Sequence, residues 1–185
     1  MNFLDTLRKQ VIILDGAMGT MIQALGLTDD DFGGSDFRML SDLLVFSRPE
    51  TVKQIHFEYF HAGANAVETN SFGASPLRLS EYDFSRLDTS GFAPNPYGVD
   101  LRRLSYEEFA YYLSRASAEI ACRARDDYRQ NPNYDGRPLF VLGAIGPSNR
   151  VISSTRADLR HADFDEIEEN FYHQVRGLLD GGVDA

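Results

Sequence analysis

Short, unbroken apolar runs alternate along this chain with longer stretches whose apolar residues recur every three or four positions. Val11-Ile12-Ile13-Leu14 is the first such run, and a strand buried on both faces of a parallel sheet reads this way. Asp15-Gly16-Ala17-Met18-Gly19-Thr20 ends it, and residues 26–42, rich in Gly and Asp, read as a loop. Ser47-Arg48-Pro49-Glu50 has the spacing of a capping box, with proline in the first helical turn. Val52, Ile55, His56, Tyr59 and Phe60 then recur at helical spacing, so the pattern predicts a helix that ends near Ala62-Gly63. Ala64 to Glu68 predicts a second buried strand, and Thr69-Asn70-Ser71-Phe72-Gly73 its exit loop.

Residues 84–104 carry Gly91, Pro94, Pro96 and Gly98 without a clean period and read as a surface excursion. Ser105-Tyr106-Glu107-Glu108 is a second capping box, followed by the apolar stripe Phe109, Tyr112, Leu113, Ala116 and Ile120. Leu139-Phe140-Val141-Leu142 predicts a third buried strand, closed by Gly143-Ala144-Ile145-Gly146-Pro147-Ser148-Asn149. Asp163 and Glu166 mark a helix start, with Phe164, Ile167, Phe171, Val175 and Leu178 as the stripe behind them.

Strand, helix, strand, helix, strand, helix is the order of a parallel α/β sheet, closed as a barrel or open and doubly wound. Asp180-Gly181-Gly182-Val183-Asp184-Ala185 has the same form as His61-Ala62-Gly63-Ala64-Asn65-Ala66, which leads from a helix into the second strand. A fourth strand is therefore expected to begin at the last residues. A complete (β/α)8 barrel takes about 250 residues. The expectation is one domain over 1–185, the first three to four βα units of a (β/α)8 TIM-type barrel, incomplete, with 84–104 as a surface insertion.

Charge and composition narrow the partners. The net charge is −10, and an acidic surface repels phosphate backbones, so nucleic acid is not an expected partner. No apolar run approaches the roughly 20 residues that span a bilayer. Met1 to Asp5 lack the features of a signal peptide, so a cytoplasmic location is the default expectation. With Cys122 as the one cysteine, no intrachain disulfide can form.

Ligands of parallel α/β folds bind at the C-terminal ends of the strands. Asp15 to Thr20, Glu68 to Gly73 and Gly143 to Asn149 fall there, dense in small and polar residues. Free backbone N–H groups in such loops can hold a carboxylate, while Asp15 and Glu68 offer negative charge to an ammonium group. The set suits an amino acid or another small zwitterion. The plainer reading is local: Asp15, Thr69 and Asn70 are also good helix-capping and turn residues. A metal site is not expected, because Cys122 stands alone and His56 and His61 do not share a helix face. His56, His61, His161 and His173 read as packing or surface residues, and Cys122 as a partly buried structural thiol.

Four motifs in order carry a resemblance: Ile13-Leu14-Asp15-Gly16-Ala17-Met18-Gly19-Thr20-Met21-Ile22-Gln23, Asp42-Leu43-Leu44-Val45-Phe46-Ser47-Arg48-Pro49-Glu50, Ala62-Gly63-Ala64-Asn65-Ala66-Val67-Glu68-Thr69-Asn70-Ser71-Phe72, and Gly143-Ala144-Ile145-Gly146-Pro147-Ser148-Asn149-Arg150. They resemble the homocysteine-binding barrel of the cobalamin-dependent methionine synthases. The resemblance implies a barrel that binds homocysteine, whose sulfur, activated by a zinc ion on three cysteines, takes a methyl group from methylcobalamin on a separate module. By it, Asp15 would hold the substrate amino group and the amides of Gly16, Ala17 and Met18 its carboxylate. Glu68, Thr69 and Asn70 stand at the same end, the latter two lining the pocket. It places the zinc cysteines in the second half of the barrel, so zinc, cobalamin and the folate and cobalamin modules belong to a full-length protein. This chain alone is then expected to lack the catalytic residues, to bind no cofactor and to be inactive. Met39-Leu40-Ser41 departs from the family's Gly-Asn-Asn-Asp run before the second motif, and 84–104 is longer than the usual connection. Two other readings remain: a related barrel methyltransferase with another thiol acceptor, and a non-catalytic remnant or binding module.

Overall fold

The computed structural model describes residues 2–152 and 162–185. Its elements are α1 (Phe3–Leu7), α2 (Met18–Ala24), α3 (Leu44–Ser47), α4 (Pro49–Ala62), β1 (Ala66–Glu68), α5 (Pro76–Leu79), α6 (Tyr106–Arg129), β2 (Phe140–Leu142) and α7 (Phe164–Asp180). Residues 26–42, expected as a loop, are wound into short 3₁₀ turns that bury Phe32 and Phe37. No described helix is long and apolar enough to cross a membrane.

β1 and β2 pair in parallel, Ala66 opposite Phe140 and Glu68 opposite Leu142. Two further segments flank them. The Asn65 and Ala66 N–H groups donate to Ile13 O, and the Asp15 N–H donates to Ala66 O at 3.0 Å. On the other side the Asp184 N–H donates to Val141 O at 2.8 Å, and the Gly143 N–H to Ala185 O at 2.7 Å. Four extended segments therefore lie in chain order, as successive βα units would place them, and the residues expected to begin a fourth strand lie beside β2.

The first segment corrects one expectation. Residues 11–14 form only a single bridge, Leu14 with Ala66, and they are not buried: Val11 is 85% exposed and Ile13 58%. They pair with β1 along one edge, and among the described residues nothing covers the other, so their apolar side chains face outward.

The helices are set by their caps and by close contacts. α6 starts with the expected capping box, Ser105 Oγ accepting the Glu108 N–H while Glu108 accepts the Ser105 N–H. Asp163 caps α7 by accepting the Glu166 N–H. The capping box expected at Ser47 does not form. Ser47 belongs to the short α3, and α4 begins at Pro49 with no side-chain cap, because residues 41–47 are already coiled and buried against the core. α4 ends at Gly63 in the left-handed conformation.

α7 is also rotated from its expected face. The residues it buries are Asn170, Gln174, Gly177 and Leu178, whereas Phe164 is largely exposed. The cause lies at Gly177, where an added Cβ would stand 2.3 Å from Tyr111 O. Only glycine permits that approach of α7 to α6, and the contact fixes which side of α7 turns inward.

Residues 84–104 run over the surface but are anchored. Phe84, Leu87 and Leu101 are buried, and the Phe84 ring stacks on Phe109 with centroids 4.0 Å apart. His56, on the inner face of α4, is fully buried with neither ring nitrogen hydrogen-bonded. Burial lowers its pKa from 6.5 to about 4. Of the other histidines, His61 is exposed and His173 pairs with Glu169. His161 lies outside the described residues.

Two outcomes follow. The exposed apolar edge at 11–14 should drive self-association, so size-exclusion chromatography is expected to show oligomers. A monomer near 20.8 kDa would contradict this. The second outcome concerns acid stability. A buried neutral histidine stabilises fully above pH 6.5, and its contribution is lost as pH falls through about 4. The lost amount is about 3 kcal/mol. Half-buried Asp15 and buried Asp42, both raised to about 6, act with the opposite sign, their stabilisation fading as pH rises toward 6. The His56→Met variant should therefore gain about 3 kcal/mol on the wild type between pH 7 and pH 4 in urea unfolding. An unchanged difference would mean that His56 is not held neutral.

Candidate functional site

The ends of the extended segments surround one cavity of about 770 Å³. Asp15, Gly16, Ala17, Met18, Glu68, Thr69 and Asn70 all line it, so the residues singled out from the sequence converge in space. The structure adds a wall that the sequence reading left out: Met39 to Asp42, Phe72, Gly73 and Arg78, with Ala144 and Pro147 to Asn149 from the loop after β2.

Asp15 does not cap α2. The cap position is Ala17, which makes no side-chain bond. Instead Asp15 Oδ2 accepts the Glu68 N–H at 3.1 Å, across the top of the sheet. Burial, seconded by the nearby Glu68 charge, raises the Asp15 pKa to about 6. A carboxylate so placed gains most from a cation brought close to it. Beside it the N–H groups of Gly16, Ala17 and Met18 have no acceptor among the described residues.

Thr69 and Asn70 both hold neighbouring segments in place. Thr69 Oγ1 accepts the Ala144 N–H at 2.9 Å and shares a 2.7 Å bond with Ser71 Oγ, which itself donates to Ala144 O. Asn70 Nδ2 donates to Ser41 O at 2.9 Å. Both line the cavity, Thr69 with its hydroxyl engaged and Asn70 with its amide nitrogen held to Ser41 O and its Oδ1 left without a partner among the described residues. The polar groups facing the cavity and not held by these bonds include Asp15, Glu68, Asn70 Oδ1, the amides of residues 16–18 and Arg78.

Asp42 and Arg78 were missed. Asp42 is buried, accepts the Gly73 N–H at 2.8 Å and is raised to about 6 by burial. The available signal was an acid directly before the apolar run Leu43-Leu44-Val45-Phe46. Arg78 is the one Lys or Arg that lines the cavity among the described residues and is held by Glu81, which accepts from Asn149 Nδ2 at 2.7 Å. Nothing in its spacing marked it, since it lies on a helix of four residues.

Cys122 is elsewhere. It lines a separate cavity of about 450 Å³ between residues 93–97 and α6. Its thiol donates to Gly182 O at 3.3 Å, and burial pushes its pKa up, so it is a poor nucleophile. Among the described residues no three His, Cys, Asp or Glu side chains gather as metal ligands. The residues present do not fit a zinc held by three cysteines.

An α/β protein with acids, free amides and one arginine at its strand ends belongs to the class that holds small polar ligands there. The family model for homocysteine S-methyltransferases matches residues 12–185, and the chain belongs to that family. Among solved structures it is similar to the homocysteine methyltransferase MmuM from Escherichia coli. The oxidized form matches with a TM-score of 0.65 and 28% identity, over 96% of this chain and 52% of that one. The metallated form matches with a TM-score of 0.67 and 27% identity, over 97% of this chain and 54% of that one. The chain thus spans about half the length of the structures it matches.

The ligand count leads to a measurable outcome. After zinc loading and dialysis, metal analysis should find well under one zinc per chain, since tight sites need at least three protein ligands. One tightly held zinc per chain would overturn this.

Proposed function

We propose that this chain supplies the amino-acid-binding wall of a homocysteine S-methyltransferase barrel, in which homocysteine accepts a methyl group and becomes methionine. The observation that carries the reading is Asp15: a half-buried carboxylate, raised to about 6, beside free backbone amides in a cavity at the strand ends. A homocysteine ammonium placed against Asp15, with Glu68 near, relieves the carboxylate's desolvation. The α-carboxylate, one carbon away, then falls to the amides of Gly16, Ala17 and Met18. Thr69 and Asn70 keep the wall in shape. Holding the amino-acid end in this way fixes where the sulfur stands, which is the positioning share of catalysis.

The finer assignment rests on the four sequence motifs. They support the cobalamin-dependent branch, with zinc on the remaining half of the barrel, methylcobalamin as donor and separate folate and cobalamin modules. Supplying labelled methyl donors to a protein that contains this chain with its remaining barrel half distinguishes that branch from others. Label reaching methionine from methylcobalamin is the expected result.

The Asp15→Asn variant tests the binding reading. Losing a charge-assisted bond should weaken homocysteine binding about tenfold to a hundredfold, while the melting temperature stays near that of the wild type. Wild-type affinity should also fall as pH drops below about 6, because the ionised form of Asp15 binds the cation; the variant should lack that step. Unchanged affinity with a lowered melting temperature would make Asp15 structural only.

A further inference from the structure

We propose that Gln174, on α7, is a positioning residue for this site. It locks the loop after β1 to the loop after β2 from beneath the cavity. This rests on the reading of the cavity as an amino-acid site.

Gln174 is 0% exposed. Its amide nitrogen donates to Ser71 O at 2.7 Å and to Ala144 O at 3.3 Å. Those carbonyls belong to two different loops, and each loop lines the cavity. Both partners are acceptors, so the NH₂ end must face them; the opposite orientation would set oxygen against oxygen. The consequence is that Gln174 Oε1 has no hydrogen-bond partner among the described residues. A buried acceptor without a partner is destabilising, so an apolar side chain would serve packing at least as well. The amide is explained by what its two donors hold.

The two loops also meet directly through Thr69 Oγ1 and Ser71 Oγ. Without Gln174, Ala144 O would keep only the Ser71 hydroxyl and Ser71 O only the Ala74 N–H at 3.1 Å, a bond within its own loop, so the side-chain bridge from α7 to both loops would be gone. Asn170, one turn earlier on α7, also holds backbone, with the opposite polarity: its Oδ1 accepts the Leu77 N–H at 2.7 Å while its nitrogen has no partner among the described residues. The inward face of α7 therefore carries hydrogen-bonding side chains where a packing helix would carry apolar ones. They reach the backbone just behind Thr69, Asn70 and Arg78.

The experiment uses the whole chain with two variants and two measurements. Gln174→Met keeps the volume and removes the donors. Amide hydrogen exchange at Ala144 and Gly146, whose N–H groups donate to Thr69 Oγ1 and Phe72 O, should quicken about tenfold, the equivalent of roughly one hydrogen bond. Exchange at Val67 and Val141 in the strands should stay as in the wild type, and homocysteine affinity should fall by a similar factor. Gln174→Glu has one O–H donor when protonated, enough for one of the two carbonyls, and none when ionised. The ratio of its affinity to that of the wild type should therefore stay below one, be highest at low pH and fall as pH rises, and taking the ratio cancels the titration of Asp15. Faster exchange spread evenly over the strands, or wild-type behaviour of Gln174→Met in both measurements, would overturn the proposal. If Gln174→Met does not fold, a flat ratio for Gln174→Glu overturns it. If the wild type itself does not bind homocysteine, the amino-acid reading fails, and exchange at the two loops still decides the role of Gln174.

Discussion

Thr69 Oγ1 accepts the Ala144 N–H at 2.9 Å, and the arrangement of the cavity depends on that bond. β1 and β2 are only three residues long each, so the sheet alone cannot dictate where the chain goes after Glu68 and Leu142. The threonine ties the two exits together one residue beyond the last ladder position. Ser71 and Gln174 reinforce the tie from either side. On the far flank, Asn70 and Gly73 are held to Ser41 and Asp42. Backbone groups that a loop would otherwise give to water are satisfied by side chains from three separate parts of the chain. That is what allows this loop to be buried at the edge of a cavity.

The same burial shapes the electrostatics. Asp42 is buried and Asp15 half-buried, and among the described residues no cation stands at hydrogen-bonding distance from either, so both sit near 6 rather than in the usual carboxylate range. They differ in use. Asp42 spends an oxygen on the Gly73 N–H deep in the wall, whereas Asp15 stands beside free amides at the open side of the sheet. A protein with a net charge of −10 gains nothing general from two more buried acids. Their cost is local, and a cation entering the cavity offsets it locally.

Much of this was legible in the sequence because it depends on neighbours in the chain. The runs at 64–68 and 139–142 became β1 and β2, the Ser105 box and Asp163 capped their helices, and Gly63 ended α4. The loops at the strand ends, and the seven residues read from them, line one cavity because a parallel sheet sends successive strand ends to the same side. Ser47 shows the limit. Its spacing to Glu50 satisfies the capping rule, yet residues 41–47 were drawn into the core as turns, and the cap was lost to burial.

The sequence by itself determined the order of the two paired strands and the three long helices, the membership of the homocysteine S-methyltransferase family, and which loops would meet, since periodicity, capping and motif identity are properties of adjacent residues. Tertiary structure decided the rest. It decided that Val11 to Leu14 would lie exposed at an edge, that Thr69 and Asn70 would brace the wall, and that Asp42 and Arg78 would join the site. It also turned α7 so that Asn170 and Gln174 point inward. The physical reason is the same in each case. Burial and hydrogen-bond partners come from elements distant in sequence, and the contact at Gly177 that sets the rotation of α7 is with Tyr111, on a different helix.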